Sequence, residues 1–178
     1  MPSSTVMPPA AARSLSCIQI DLAQLKLAVP IDRVEKVVRP SQIMGEHVAD
    51  AVPTAAHTGS SGPVSSGTVS SGIVYYADTA VTLLNLQQHL LPTATPSSPS
   101  YFLILRASTG ELVAVPIPTA PNLVEFPQQT VKVLPATYRQ VNLLGIASHV
   151  TRTEDEQTLF ILDVDYLVTR WGRPDSAA

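Results

Sequence analysis

The sequence predicts an all-β protein made of two small barrels packed together, with one short C-terminal helix. Two observations carry this prediction. The apolar residues recur at nearly every second position, which is the period of a strand, and the two halves of the chain repeat the same motifs in the same order. Because short strands that close on themselves leave few edges exposed, two closed barrels are the favoured architecture.

The individual elements follow from the same patterning. Apolar residues alternate with polar or small ones, or form short apolar runs, and these stretches predict strands at residues 18–22, 25–29, 81–86, 102–105, 112–115, 143–150 and 159–162. The clearest helix covers residues 164–170, with Asp163 as its N-cap and with Gly172 and Pro174 just beyond its end. No long helix is predicted.

An internal repeat relates the two halves. The tetrapeptide Ala-Val-Pro-Ile at residues 28–31 recurs unchanged at 114–117. The pair Gly-Ile at 72–73 recurs at 145–146, and Leu-Asn-Leu at 84–86 corresponds to Leu-Asp-Val at 162–164. Three matches in one order indicate a duplicated β unit.

The domain organisation follows from composition. Residues 1–14 are rich in Pro, Ala and Ser and are expected to be a disordered tail, and 173–178 a second tail. Between them, 15–172 form the domain, with halves at about 15–90 and 101–170 joined by a Pro-rich linker at 91–100. The Ser- and Gly-rich tract 59–72 is expected to be a mobile loop, since it offers few apolar side chains to offset its ordering entropy.

Charge and aromatic content argue against nucleic acid as a partner. Charged residues make up 14% of the chain and the formal net charge is −3, so the positive field that attracts phosphate backbones is missing. Aromatic residues, at 5%, leave few rings for stacking on bases. We expect no nucleic-acid partner.

The compartment is predicted from cysteine content and from apolar run lengths. Cys17 is the only cysteine, so the chain cannot form an internal disulfide. No stretch approaches the roughly 20 apolar residues that span a bilayer, and the N-terminus lacks a secretory apolar run. We expect a cytoplasmic protein without direct membrane insertion.

Motifs that would support catalysis or cofactor binding are weak, so no catalytic, cofactor or metal site is predicted. Asp163 and Asp165 form an Asp-x-Asp pair that lacks the further ligands hard cations require. One enzymatic alternative stays open: Asp78-Thr79-Ala80 has the form of the active-site turn of retropepsin-like aspartic proteases, which would need a homodimer to supply a second carboxylate. The competing interpretation of Asp78 is a hairpin turn.

Taken together, the motifs resemble a CheW-like domain, the adaptor module of bacterial chemotaxis arrays, over roughly residues 15–169. The resemblance is carried by the 28–31 tetrapeptide followed by Val-Glu-Lys-Val-Val-Arg at 34–39, by Gly-Ile-Val at 72–74, and by Leu-Phe-Ile-Leu-Asp-Val-Asp-Tyr-Leu at 159–167. It implies two five-stranded SH3-like barrels. It also implies a non-enzymatic signal-transduction scaffold that couples the cytoplasmic tip of a chemoreceptor to the regulatory domain of a CheA-type histidine kinase.

One departure from the family concerns the residues after the Gly-Ile strand. Where the family carries Asn-Leu-Arg-Gly, this chain has Tyr75-Tyr76-Ala77-Asp78, so Ala77 replaces an arginine that the family links to receptor and kinase contacts. This favours a divergent adaptor, and a degenerate member with a different protein partner is the alternative.

The predicted partner-binding residues lie on two strands. Tyr75 and Tyr76 are neighbours on a strand and point to opposite faces, so one of them is expected outside the barrel. The resemblance places residues 34–38 at the kinase-binding edge, with Lys36 as a specificity charge. The full set is Val34, Lys36, Val37, Tyr75, Tyr76 and Ala77.

Overall fold

A computed structural model describes residues 13–44, 72–95, 97–139, 145–153 and 155–171. The predicted N-terminal tail, residues 1–14, was too long by one residue, because Ser14 begins a strand. Residues 1–12 of that tail, residues 59–71 of the predicted loop, and the second tail lie outside the described residues.

Eleven strands and three α-helices make up the described chain. The strands are β1 Ser14–Leu22, β2 Leu25–Pro30, β3 Val34–Val38, β4 Gly72–Tyr76, β5 Thr79–Leu83, β6 Tyr101–Arg106, β7 Leu112–Ile117, β8 Asn122–Pro127, β9 Lys132–Val133, β10 Ala147–Arg152 and β11 Thr158–Leu162. The helices are α1 Leu86–Leu90, α2 Ala136–Arg139 and α3 Val164–Trp171, and short 3-10 helices occupy Ile31–Arg33, Pro40–Gln42 and Gln128–Thr130.

The predicted C-terminal helix is confirmed by α3, whose cap is Asp163: its Oδ1 accepts the backbone N–H of Tyr166 at 3.1 Å. The predicted strand at 81–86 was wrong at its end, since β5 stops at Leu83. Asn85 instead caps α1 by accepting the backbone N–H of Gln88.

The strands form two sheets, each of which curls into a barrel. Barrel A has the strand order β8-β1-β2-β11-β10-β9, and barrel B has the order β3-β6-β7-β5-β4. Both barrels are closed in the same way: the chain leaves an edge strand, passes through a 3-10 helix and then pairs with a strand at the opposite side of the sheet. In barrel A this chain forms β9, which pairs with β10; in barrel B, Met44 pairs with Tyr75 of β4.

The predicted halves, about 15–90 and 101–170, do not each form a barrel. The hairpin β1–β2 pairs with strands of the second half, and the hairpin β6–β7 pairs with strands of the first half. The first hairpin of each half therefore belongs to the barrel that the other half supplies with its remaining strands. The linker at 91–100 joins the two sequence halves without separating the two barrels.

Two of the three repeat matches are confirmed by equivalent structure, but the Gly-Ile match is not, because residues 72–73 begin β4 whereas 145–146 lie in a turn before β10. Ala28 in β2 lies opposite Ile161 of β11 in a parallel pair, and Ala114 in β7 lies opposite Leu83 of β5 in the same way. The later repeat also holds, because Asn85 and Asp163 are both helix N-caps that follow the last strand of a half.

Three apolar clusters explain why the exchanged hairpins are buried on both faces. Ala114 points into barrel B and Ala28 into barrel A, whereas their neighbours Val115 and Val29 point into a shared central core between the barrels. The central core also receives α1 and α3 side chains. Because side chains alternate along a strand, one hairpin can serve a barrel interior and the central core at once.

The turn between β4 and β5 requires an unusual backbone. Tyr76 pairs with Thr79 across two residues, Ala77 and Asp78, whose φ angles are 46° and 63°. Positive φ at both positions is typical of a type I′ hairpin turn, which favours Asn and Gly because a Cβ is disfavoured there. Asp78 thus lies in a hairpin turn, as predicted by the interpretation that competed with a protease active site.

Replacing Leu103 by alanine tests the central core. Leu103 is fully buried there, so Leu103→Ala should lower the free energy of unfolding by about 2–5 kcal/mol in denaturant titrations. Leu123 is 61% exposed, and Leu123→Ala, as the control, should cost about 0.5 kcal/mol or less. Similar small losses for both variants would contradict a central core that joins the barrels.

Replacing Ala77 by glycine tests the turn. Because glycine adopts positive φ without strain, Ala77→Gly should raise the free energy of unfolding by about 0.5–1 kcal/mol. The matched control is Ala80→Gly on the exposed face of β5, where lost chain entropy should lower stability by about 0.5–1 kcal/mol. Loss of stability in both variants would show that the turn carries no backbone strain.

Candidate protein-binding surfaces

The predicted partner-binding residues all fall on barrel B. Val34, Lys36 and Val37 belong to β3, and Tyr75 and Tyr76 belong to β4. These are the two edge strands of the sheet. The Met44–Tyr75 bridge closes the barrel between them, so the predicted set shares one side of the fold.

On β3 the exposed cation is Lys36. Val34 and Val37 are half-buried and pack against the central core, because an irregular register between Val34 and Lys36 turns the strand. The neighbouring Glu35 is held by Arg106, with 2.8 Å between the guanidinium and the carboxylate. Lys36 is therefore the member of the predicted β3 set with its side chain most available to a partner.

On β4 the two tyrosines point to opposite faces, as predicted. Tyr75 is 51% exposed, whereas Tyr76 packs against the interior of barrel B. Ala77 is exposed at the tip of the hairpin. Tyr75 is thus the tyrosine of β4 that a partner could reach.

Two further exposed apolar residues were missed by the sequence analysis. Ile73 is 54% exposed and lies two positions before Tyr75, on the same face of β4, and Met44 is 58% exposed and bridged to Tyr75. The period-two rule applied to β4 would have found Ile73. We call Met44, Ile73 and Tyr75 the barrel B patch, a candidate protein-binding surface because three exposed apolar side chains share one edge of the sheet.

A groove of about 780 Å³ lies where barrel A meets the 3-10 helix Ile31–Arg33 and the start of α3. Apolar side chains cover much of its surface: Leu15, Pro30, Val131, Val133, Ile161 and Val164. Its charged lining residues are Asp32, Arg33, Asp163 and Asp165. Val133, at 66% exposure, is the most accessible of the apolar group.

A charged network ties this groove to the rest of the fold. One oxygen of Asp165 accepts the backbone N–H of Ser108 at 2.6 Å, and the other lies 3.2 Å from the Arg33 guanidinium. The hydrogen bond from Ser108 is the largest cause that lowers the pKa of Asp165, and Arg33 adds to it. Asp165 therefore links α3, the β6–β7 hairpin and the 3-10 helix.

The remaining candidate chemistry finds no support in the geometry. Asp78 is exposed at a hairpin tip rather than in a cleft. Cys17 is buried, and burial together with the charge of Asp32 raises the pKa of its thiol to about 11, so it is a poor nucleophile. Across the described ranges, no three His, Cys, Asp or Glu side chains are grouped so that they could hold a metal ion.

Removing the charge of Asp165 should weaken the fold in a pH-dependent way. Because its folded pKa is lowered, the ionised carboxylate stabilises the native state above the ordinary carboxyl pKa, and this contribution is lost as pH falls through the folded value. Asp165→Asn should therefore melt at a lower temperature than the parent at pH 7. The difference should shrink below about pH 4.

The control for that comparison is Asp155→Asn, which changes an exposed aspartate in the turn between β10 and β11. It should melt like the parent at both pH values. A melting difference for Asp165→Asn that stays constant down to about pH 2 would contradict an electrostatic role for this carboxylate.

Comparison with known proteins agrees with this fold. In the part of the chain that the structure describes, no helix is long and apolar enough to span a membrane. No curated protein matches the sequence at a significant level. Among solved structures, the scaffolding protein TtCheW from Thermoanaerobacter tengcongensis is similar, with a TM-score of 0.62 and 13% identity over 90% of this chain and 97% of that one.

At 13% identity the structural likeness shows the fold alone, which is two packed SH3-like barrels and a short helix, as predicted. The sequence comparison goes further, because the family model described as the CheW-like domain matches residues 16–170, nearly the whole domain. The chain belongs to the CheW-like domain family.

Proposed function

We propose that this protein is a cytoplasmic, non-enzymatic chemotaxis adaptor that couples chemoreceptors to a CheA-type histidine kinase. The observation that carries the proposal is the family match over residues 16–170. The mechanism is scaffolding: the protein holds two partners in a fixed relation through separate surfaces and transforms no substrate.

The kinase regulatory domain is assigned to barrel B. The barrel B patch offers three exposed apolar side chains, with Tyr75 at its centre because it is bridged to Met44 and shares a face with Ile73. Exposed tyrosines are frequent anchors of protein interfaces. Lys36, on the other edge strand, supplies a charge that acts on partner choice and association rate more than on affinity.

The receptor tip is assigned to the groove beside α3. A helical tip that presents an apolar stripe fits a groove lined by Leu15, Val131 and Val133. This groove borders barrel A and the 3-10 helix that leads into β3, and no residue of the barrel B patch lines it.

A second candidate is a divergent family member with a different protein partner. The observation that favours it is the exposed turn Ala77-Asp78, which carries no cation where the family has Arg-Gly. The double substitution Ala77→Arg with Asp78→Gly separates the two. Unchanged binding to kinase and receptor favours the second candidate, and stronger binding favours a standard adaptor with a weakened contact.

Binding of the full chain to a purified CheA-type regulatory domain tests the kinase assignment. Tyr75→Ala should weaken that binding by about tenfold or more, since a central aromatic anchor is lost, and Lys36→Glu should slow association at low salt. The control Tyr138→Ala removes another tyrosine, 54% exposed on α2, and should leave binding unchanged. If the parent protein binds neither the kinase nor the receptor, the adaptor role is rejected.

A further inference from the structure

The groove beside α3 has an uneven charge that constrains what can bind in it. Among its described lining residues are three carboxylates, Asp32, Asp163 and Asp165, and one guanidinium, Arg33. The apolar lining would accept any helix with an apolar stripe, so it does not discriminate among such helices. The charged side chains of the groove can discriminate among helices, because they favour a partner of opposite charge.

The three carboxylates are not equally available. Asp165 is engaged by Ser108 and by Arg33 at 3.2 Å, and Asp163 uses Oδ1 to cap α3. Asp32 is 74% exposed, and its nearest cation contact is a long 3.9 Å approach to the Nε of Arg33. Because Asp32 is more exposed than Asp165 and lies farther from the guanidinium, it is the more accessible of these two carboxylates for a partner.

We propose that the groove selects a partner segment that carries a basic residue beside its apolar stripe, and that Asp32 is the residue that reads this charge. The inference rests on the proposed function and names the chemistry of the partner. Apolar contact with Val133 and its neighbours supplies affinity. The pairing of a lysine or arginine with Asp32 supplies specificity and faster association.

The test measures binding of the 178-residue chain to the cytoplasmic domain of a chemoreceptor from the same genome, at low and high salt. Asp32→Lys should weaken binding by about tenfold at low salt and by less at high salt, since exposed charges are screened. Its matched control is Asp155→Lys, a charge reversal on an exposed turn remote from this groove's lining, which should bind like the parent. Replacing the partner's basic residue by glutamate should restore binding to Asp32→Lys.

A second pair of variants separates this inference from the proposed function. Val133→Ser removes an exposed apolar lining residue and should weaken binding several-fold at both salt concentrations, while Leu123→Ser, similarly exposed on β8, should not. If Val133→Ser weakens binding and Asp32→Lys does not, the charge inference is wrong and the groove assignment stands. If the receptor binds and neither variant changes its affinity, or if the receptor does not bind at all, the groove assignment fails and this inference fails with it.

Discussion

The rest of the structure depends on the apolar core shared by the two barrels. Each barrel interior is small, because SH3-like barrels of five or six short strands enclose few side chains. The hairpins β1–β2 and β6–β7 place one face in a barrel and the other in the central core, where Val29 and Val115 occupy equivalent positions in the repeat. Since each hairpin belongs by sequence to one half and by pairing to the other barrel, neither barrel is complete without both halves of the chain.

Much of this fold could be predicted from the sequence, because the signals that specify it are local. Period-two alternation located the strands of both hairpins, and the repeated Ala-Val-Pro-Ile identified β2 and β7 as equivalent. The exchange of hairpins could not be predicted, since strand partners depend on long-range packing that alternation does not encode. The end of β5 was misplaced for a related reason: Leu84 and Leu86 continue the apolar run, yet both are buried in the central core rather than in a strand.

The candidate surfaces were predictable in part. The opposite orientation of Tyr75 and Tyr76 follows from strand geometry alone, and the structure agrees with it. Whether Val34 and Val37 face solvent depends on the irregular register of β3, which no pattern in the sequence marks. The groove beside α3 could not be predicted either, because its lining comes from strands, a 3-10 helix and a helix cap that are distant in sequence. A rigid frame built on one shared core suits a scaffold, since two surfaces on it keep a fixed separation.

Native-state hydrogen exchange measures most directly whether the central core unites the two barrels. If the barrels unfold as one unit, the slowest amides of β1–β2 and of β6–β7 will open with the same free energy, equal to that of global unfolding from denaturant titration. If the amides of one barrel exchange as a separate group at a clearly lower free energy than those of the other, the barrels are independent and the central core does not unite them.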